Sequence, residues 1–419
     1  MDKNKDREKN LNANIRKKKR MSYKKKIQAF QIGAITFAVF LTLIVGSQIL
    51  TKQFVGKPDN SNISSMADKT YEEKNPTDSS DQMEDIQSVQ VSATPQPSQE
   101  EEDSKEDAKV PEDAAPAEEV QITISAVGNC TIGGDESFST ANNFDAFYIV
   151  KKDYGYFLQN VKDIFATDDM TIINMEGTLT EVSTRQEKTY AFKGSPKYTE
   201  VLTLGNVDVA NIANDHSKDY GEQSYADTIQ NLENVGITAF GNERVAVMEI
   251  KGIHVGLVGI NETSLGMDCQ TELITNINQA IDRGAEVIIV SFHWGDLEGT
   301  APDEVQKELA HIAIDHGADL VLGHHPKTLH GIEKYNGKNI VYSLGNFCYG
   351  GEFTPKDKDT MIYQQTFTFH DGVLVEDDVT NIIPCKISSL EEYNDYQPTP
   401  AEGTEADRIL QKINNQHIE

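Results

Sequence analysis

From Val120 onward, short apolar runs alternate with amphipathic stretches. QITISAVG, TIINM and VDVANIA read as strands, and SYADTIQNLENVG reads as a helix. The pair VAVMEIKGIHVGLVGI divides into a hairpin that turns at Lys251-Gly252. Next come a helix over Leu273 to Arg283, the buried-strand run EVIIVSF, a helix over Asp303 to His316, and ADLVLG. A hairpin IEKYNGKNIVYSLGN turning near Asn336-Gly337 follows, then strands around Gln364 to Phe369 and Val373 to Val379. Strands alternating with helices, then extra hairpins, predict one mixed α/β domain over 120–384, with a large sheet or two sheets. Residues 385–419 read as a C-terminal extension, a Pro-interrupted loop followed by a peripheral helix.

The first 119 residues follow a different pattern. Ile27 to Leu50 has no charged side chain over 24 residues, which predicts one transmembrane signal-anchor helix. The run is longer than a usual signal-peptide core, and no clear A-x-A site follows it, so the uncleaved anchor is preferred to a cleaved leader. Residues 1–26 carry twelve Lys/Arg against three Asp/Glu; this basic tail places the N-terminus in the cytoplasm and the C-terminal domain outside it, a single-pass cell-membrane arrangement. Residues 51–119 are rich in Ser, Asp, Glu, Pro and Gln and read as a disordered acidic linker, with a coil reach of roughly 45 Å.

The whole chain has a formal net charge of −29 over 419 residues. The only Lys/Arg cluster is the N-terminal tail, so nucleic acid is excluded as the ligand of the body. Four cysteines, Cys130, Cys269, Cys348 and Cys385, lie far apart without CxxC spacing. They read as small buried residues, although extracytoplasmic thiols allow three pairings that the sequence does not separate.

In an open α/β domain the ligand site lies at the C-terminal ends of the strands. Asn129 and Cys130 follow AVG; Glu176 follows TIINM; Asn214, Asp215 and His216 follow VANIA; His293 ends VIIVSF; His324 and His325 follow LVLG. Five successive strands thus deliver an amide, carboxylate or imidazole at the same end. Asn346, in SLGNF, is either a turn residue or part of the pocket. Imidazole with carboxylate suits one divalent transition metal (Zn, Mn or Fe) rather than calcium or magnesium, and hydrolysis is the natural chemistry of such a metal. His254, His311, His316, His370 and His417 occur singly and read as ordinary histidines.

The blocks AVGNCTIGGD, INMEGTLT, IANDHSKDYG, SFHWGDLE and GHHPKTLHGIEKYNGKNIVYSLGNFCYGG resemble the CapA family of capsule-biosynthesis proteins (the PGA_cap domain), in order from Ile122 to about Thr380. That family includes the membrane-anchored subunit of poly-γ-glutamate synthesis and export, and it is similar to the calcineurin-like metallophosphoesterases. The resemblance implies an α/β/β/α sandwich with a site for up to two metals. By position, it places Asn129 where an Asp ligand of the first metal usually stands, Glu176 at the bridging carboxylate, and Asp215 at the Asn ligand. His216 falls on the histidine that serves the leaving group, His293 and His325 on ligands of the second metal, and Lys327 on a lost histidine ligand. The glutamate that usually follows His-Trp-Gly is displaced to Glu298.

These changes predict a one-metal site of Glu176, Asp215, His293 and His325, with His216 as the catalytic acid. Asn129, Asn214, His324, Lys327 and Asn346 would line the pocket. Lys327 is expected to fill the vacant first-metal position as a built-in cation held by Glu176 and Asp215, and Asp135 restores a first-metal ligand only if its loop folds back. Two functions follow. One is a metal-dependent phosphoesterase-type hydrolase. The other is a non-catalytic accessory subunit that holds no metal, binds an anionic polymer, or supports the membrane subunits of a capsule or poly-γ-glutamate synthase. A polyanion would need a metal or a local basic pocket around Lys327 and Lys193.

Overall fold

The computed structural model describes residues 119–416. The expected tail and membrane-spanning run, and the linker up to residue 118, lie outside these residues. Among the described residues no helix is long and apolar enough to cross a membrane.

Sixteen strands appear among them: β1 Glu119–Thr131, β2 Met170–Met175, β3 Thr178–Leu179, β4 Lys193–Gly194, β5 Val209–Asn211, β6 Thr238–Phe240, β7 Ala246–Ile250, β8 Ile253–Asn261, β9 Val287–His293, β10 Leu320–His324, β11 Ile332–Tyr335, β12 Lys338–Val341, β13 Asn346–Tyr349, β14 Asp359–His370, β15 Val373–Lys386 and β16 Thr399–Pro400. Helices α1 Phe144–Lys151, α2 Lys162–Phe165, α3 Thr199–Leu204, α4 Glu222–Asn234, α5 Gln270–Asp282, α6 Glu304–Asp315 and α7 Gly403–Asn414 are interspersed. One mixed sheet has the order β16-β15-β14-β1-β2-β5-β6, with β13 also pairing to β1; the second has the order β11-β12-β10-β9-β8-β7. Of the two arrangements the sequence allows, the molecule therefore adopts two large sheets, with β3 and β4 forming a separate two-stranded one.

The period-2 alternation of each strand sorts its side chains between layers. Ile122, Ile124, Met170, Ile172 and Val209 of the first sheet meet Val255, Leu257, Val287, Ile289, Leu320 and Leu322 of the second in one shared core. The intervening residues face outward. Ile173, Met175 and Ala210 pack under Phe144, Phe165, Val201 and Leu232 of α1, α2, α3 and α4. Val258, Ile288, Val290 and Val321 pack under Leu273, Ile277, Leu309 and Ala313 of α5 and α6. The result is helices, sheet, sheet, helices.

Local signals set the boundaries. Lys251 and Gly252 both have positive φ (52° and 89°) between paired Ile250 and Ile253, as a two-residue hairpin turn requires. Asn336 and Gly337 repeat this at 50° and 83°. Asp303 caps α6 with a capping box to Gln306, satisfying otherwise orphaned amide groups. The strands placed at Gln364 to Phe369 and Val373 to Val379 run further, over Asp359–His370 and Val373–Lys386, where they pair with each other in antiparallel register. β15 continues through residue 385, and Tyr396, Ile409 and Ile413 beyond it are buried in the cores. The C-terminal segment is part of the packed structure, not a peripheral appendage.

Candidate metal centre

The inward parity of the shared core continues to the C-terminal ends of its strands, where the residues turn polar. Met170 and Ile172 are followed at the same parity by Asn174, Val209 by Asn211, and Val287 and Ile289 by Ser291 and His293. Glu176 lies just past β2, with its N–H bonded to the Cys130 carbonyl (3.0 Å). The turn that carries it depends on Gly177, whose φ is +91° and where a Cβ would approach Phe192 Cβ to 2.7 Å. His325, just past β10, has φ +92°, a strained value for a non-glycine residue of the kind that persists where surrounding contacts hold it.

Glu176, His293 and His325 each offer a ligand atom within 4.8 Å of the others. His293 Nε2 lies 3.0 Å from His325 Nδ1 and 3.9 Å from Glu176 Oε1. Asp215, the fourth expected ligand, joins them through Oδ1, 3.0 Å from His293 Nε2. Two imidazoles with carboxylates form a donor set of the kind that binds transition metals, and the positions of Glu176, His293 and His325 are consistent with a metal ion. Thr131 Oγ1 donates to Glu176 Oε2 (3.1 Å).

Charge balance within this cluster is uneven. Burial raises the Glu176 carboxyl above its ordinary range, more than His216 and His293 lower it. Asp215 is also penalised by burial, but the hydrogen bond from His293 and the charges of His216 and Lys188 hold it well below the usual carboxylate range. Burial and the neighbouring His293 lower His325 to about 4, which keeps that ring neutral and available as a ligand near pH 7.

His216 stands beside the triad, Nε2 3.7 Å from Asp215 Oδ2. Its Nδ1 donates to Asp219 Oδ2 (2.8 Å), and its ring packs against Phe192 at 4.4 Å. Burial opposes the charged ring, but the Asp219 hydrogen bond and the charges of Glu176, Asp215 and Asp219 outweigh it, so His216 titrates above the usual imidazole range. Lys188 Nζ binds the Asp215 carbonyl and Asp219 Oδ1, both at 2.8 Å, and lies 3.6 Å from Asp215 Oδ2. Asp219 and Lys188 were both missed in the sequence. The signal for Asp219 was its three-residue spacing from His216; Lys188 sits in an irregular loop whose sequence gave no indication.

The expectation for Lys327 is corrected. Its backbone N–H binds the Leu297 carbonyl (3.0 Å), which docks this loop beside Glu298, and Nζ pairs with Glu298 Oε1 at 2.7 Å rather than with Glu176 or Asp215. The cation beside Asp215 is Lys188. Lys193 is occupied as well, donating to the Val182 carbonyl and lying over the Tyr220 ring at 4.6 Å, so the two lysines form no basic pocket. Asp135 is bound to Arg185 (2.8 Å) and to the Ala191 and Ser137 amides, and its hydrogen bonds overcome burial to hold it at about 2.

The other expected pocket residues are brought together, mostly by one another. Asn129 donates to Asn346 Oδ1 (3.1 Å), and Asn214 donates to the Met175 carbonyl (2.8 Å) and accepts from the His216 N–H. His324 pairs in register with His293, but it is fully buried and neither ring nitrogen has a hydrogen-bond partner among the described residues. Burial and His293 lower it to about 3, so its ring is neutral. All four cysteines are buried and free. Two cavities flank the cluster, one of about 390 Å³ lined by Asn214 and Asp215 and one of about 500 Å³ lined by Lys327 and Asn346.

A family model described as bacterial capsule synthesis protein PGA_cap matches residues 123–350. The chain is 29% identical over 227 residues to the PGA biosynthesis protein CapA of Bacillus subtilis (strain 168), covering 49% of this chain and 60% of that one. It is 29% identical over 179 residues to the capsule biosynthesis protein CapA of Bacillus anthracis, covering 37% and 43%. A probable polyglutamine synthesis accessory protein of Mycobacterium tuberculosis (strain ATCC 25618 / H37Rv) is 28% identical over 262 residues, covering 53% and 67%. The match thus spans 60% and 43% of the two Bacillus relatives' lengths.

Proposed function

Because the chain belongs to the bacterial capsule synthesis protein family PGA_cap, we propose that it is a membrane-anchored, extracytoplasmic accessory protein of capsule or poly-γ-glutamate biosynthesis with a one-cation, metallophosphoesterase-type hydrolytic site. The relatives' names supply the biosynthetic context, and the uncharged 24-residue run after a basic tail supports the anchor. The observation that carries the hydrolytic reading is the convergence of Glu176, His293 and His325 from two different sheets beside a histidine already oriented by Asp219. Helices flanking two packed sheets, with these donors at strand ends, fit a metallophosphoesterase-type sandwich.

Glu176, His293 and His325, with Asp215, would hold one Zn, Mn or Fe ion, which supplies Lewis acidity toward a phosphoryl or acyl oxygen. The protein's own residues do the rest. Asp219 fixes the tautomer and direction of His216, whose Nε2 faces the cluster and carries a proton that a leaving group takes up. Lys188 holds Asp219 and the Asp215 backbone, which keeps that histidine in register with the triad. Asn129 is consumed by amide contacts and Lys327 by Glu298, leaving no donor set for a second ion at those positions.

That same loss favours a second reading: an accessory protein that uses this cleft to bind a polymer or to support membrane subunits of the synthase without turnover. Metal content per full-length chain, measured by plasma mass spectrometry on protein without a histidine tag, tests the first reading. Near one equivalent, lost together in Glu176→Gln and His293→Ala, is expected. No metal after exposure to each ion would leave the accessory reading, and near two would refute the one-cation site.

A further inference from the structure

A chain of buried amides runs beneath the triad, across adjacent strands of the first sheet. Asn346 of β13, Asn129 of β1, Asn174 of β2 and Asn211 of β5 are each at most 2% exposed, and Asn214 joins them from the following loop. Asn129 accepts from Asn174 Nδ2 at 3.0 Å, while Asn174 Oδ1 accepts from Asn211 Nδ2 (3.2 Å) and Asn214 Nδ2 (3.4 Å). Asn174 Nδ2 also lies 3.4 Å from His293 Nδ1.

The orientation of an amide is decided by its partners, and here the outer members are decided by backbone groups that have only one role. Asn129 Oδ1 faces the His325 N–H (3.3 Å) and its Nδ2 faces the His325 carbonyl (3.5 Å). Asn214 is fixed by the Met175 carbonyl and the His216 N–H, and Asn211 by the Ala213 N–H (3.1 Å). Two amide donors therefore point at one end of Asn174 and one acceptor at the other. Turning Asn174 over would oppose three contacts at once. Its second N–H is left directed at His293 Nδ1, which must accept.

We infer that Asn174 is a positioning residue that sets the tautomer of His293, keeping the proton on Nε2, the nitrogen that faces Asp215 and the triad. A histidine that ligates a metal usually offers its other ring N–H to an acceptor. His293 is backed by a donor instead. For Nε2 to bind a cation, its proton must leave, and a proton moved to Nδ1 would face the Asn174 N–H. The metal arm of this inference rests on the proposed function; the tautomer does not.

Two measurements on the full-length chain test it. With ¹⁵N-labelled histidine and metal-free protein, long-range ¹H–¹⁵N correlation, assigned by His293→Gln, is expected to show an unprotonated Nδ1 and a protonated Nε2. Asn174→Asp replaces the donor by an acceptor for Nδ1–H and is expected to tighten Mn²⁺ or Zn²⁺ binding by about 10- to 100-fold in titration calorimetry. Asn174→Leu, which removes both roles, is expected to leave a mixed tautomer, so the idea remains testable if the aspartate variant does not fold. A protonated Nδ1 in the unmodified chain, or unchanged affinity in a folded Asn174→Asp variant, overturns the inference. A protonated Nε2 with no ion bound by either protein supports the tautomer and overturns the cation reading.

Discussion

Replacing Asp219 by Asn keeps the size of the side chain beside His216, removes its charge and turns one of its two acceptor oxygens into an N–H donor. In the native protein the carboxylate accepts the His216 Nδ1–H at 2.8 Å and is 1% exposed. A hydrogen bond to a charged group is worth about 1.5–3 kcal/mol and a neutral one about 0.5–1.5 kcal/mol. The difference, about 1–1.5 kcal/mol, is about one pH unit of preference for the imidazolium. The His216 midpoint is therefore expected to fall by about one unit in Asp219→Asn, because the charged ring loses more than the neutral ring. Glu176 and Asp215 remain and keep it from falling further. The Cε1 proton resonance of His216, followed by NMR across the pH range, reads this directly. Lys188 also loses a partner at 2.8 Å, so a stability loss of about 1–3 kcal/mol in urea should accompany the shift. An unchanged midpoint in a folded variant would refute the claim that Asp219 sets the acidity of His216.

Three further outcomes are expected. Burial lifts the Asp168 carboxyl to about 6, against hydrogen bonds from Ser125 and Thr171, with the charges of Asp208 and Asp169 adding to the rise. The folded chain then binds this proton more tightly than the unfolded one, so the contribution favours folding at low pH and is lost as pH rises from about 4 to about 6; Asp168→Asn should raise stability at pH 7 by about 1 kcal/mol and flatten that slope, whereas a loss would contradict the assignment. Lys327→Ala should leave metal content unchanged and cost less than about 1 kcal/mol, since its partner Glu298 is 71% exposed; a metal content raised by about one equivalent would restore the built-in-cation idea. Ile409→Ala, at a fully buried position of α7, should cost about 2–4 kcal/mol in urea unfolding, and a cost below about 0.5 kcal/mol would show that this helix packs weakly.

Most strands and the helix–strand alternation were legible because apolar spacing and turn residues are local. Lys251-Gly252, Asn336-Gly337 and the start of the helix at Asp303 were legible for that reason, although the capping role of Asp303 was not read. The convergence of Glu176, Asp215, His293 and His325 was legible too, since each follows an apolar run and parallel strands end on the same side. Asn174 was not. Inside TIINM it reads as one polar residue in a buried strand, and its meaning depends on β1, β2 and β5 being neighbours, which is a property of strand order. Lys188 and Lys327 exchanged roles for a similar reason: loop direction is set by contacts such as Lys327 N–H to Leu297, distant in sequence from the pattern being read.

The direction of β1 assigns the domain two poles. The strand begins at Glu119 and reaches Asn129, which contacts the backbone of His325, ten residues on, a run of about 33 Å at extended-strand spacing. Glu119 thus lies at one pole and the triad at the other, so a single strand ties the far end of the body to the backbone of a residue of the triad, and a change in its register at Glu119 would be felt at His325.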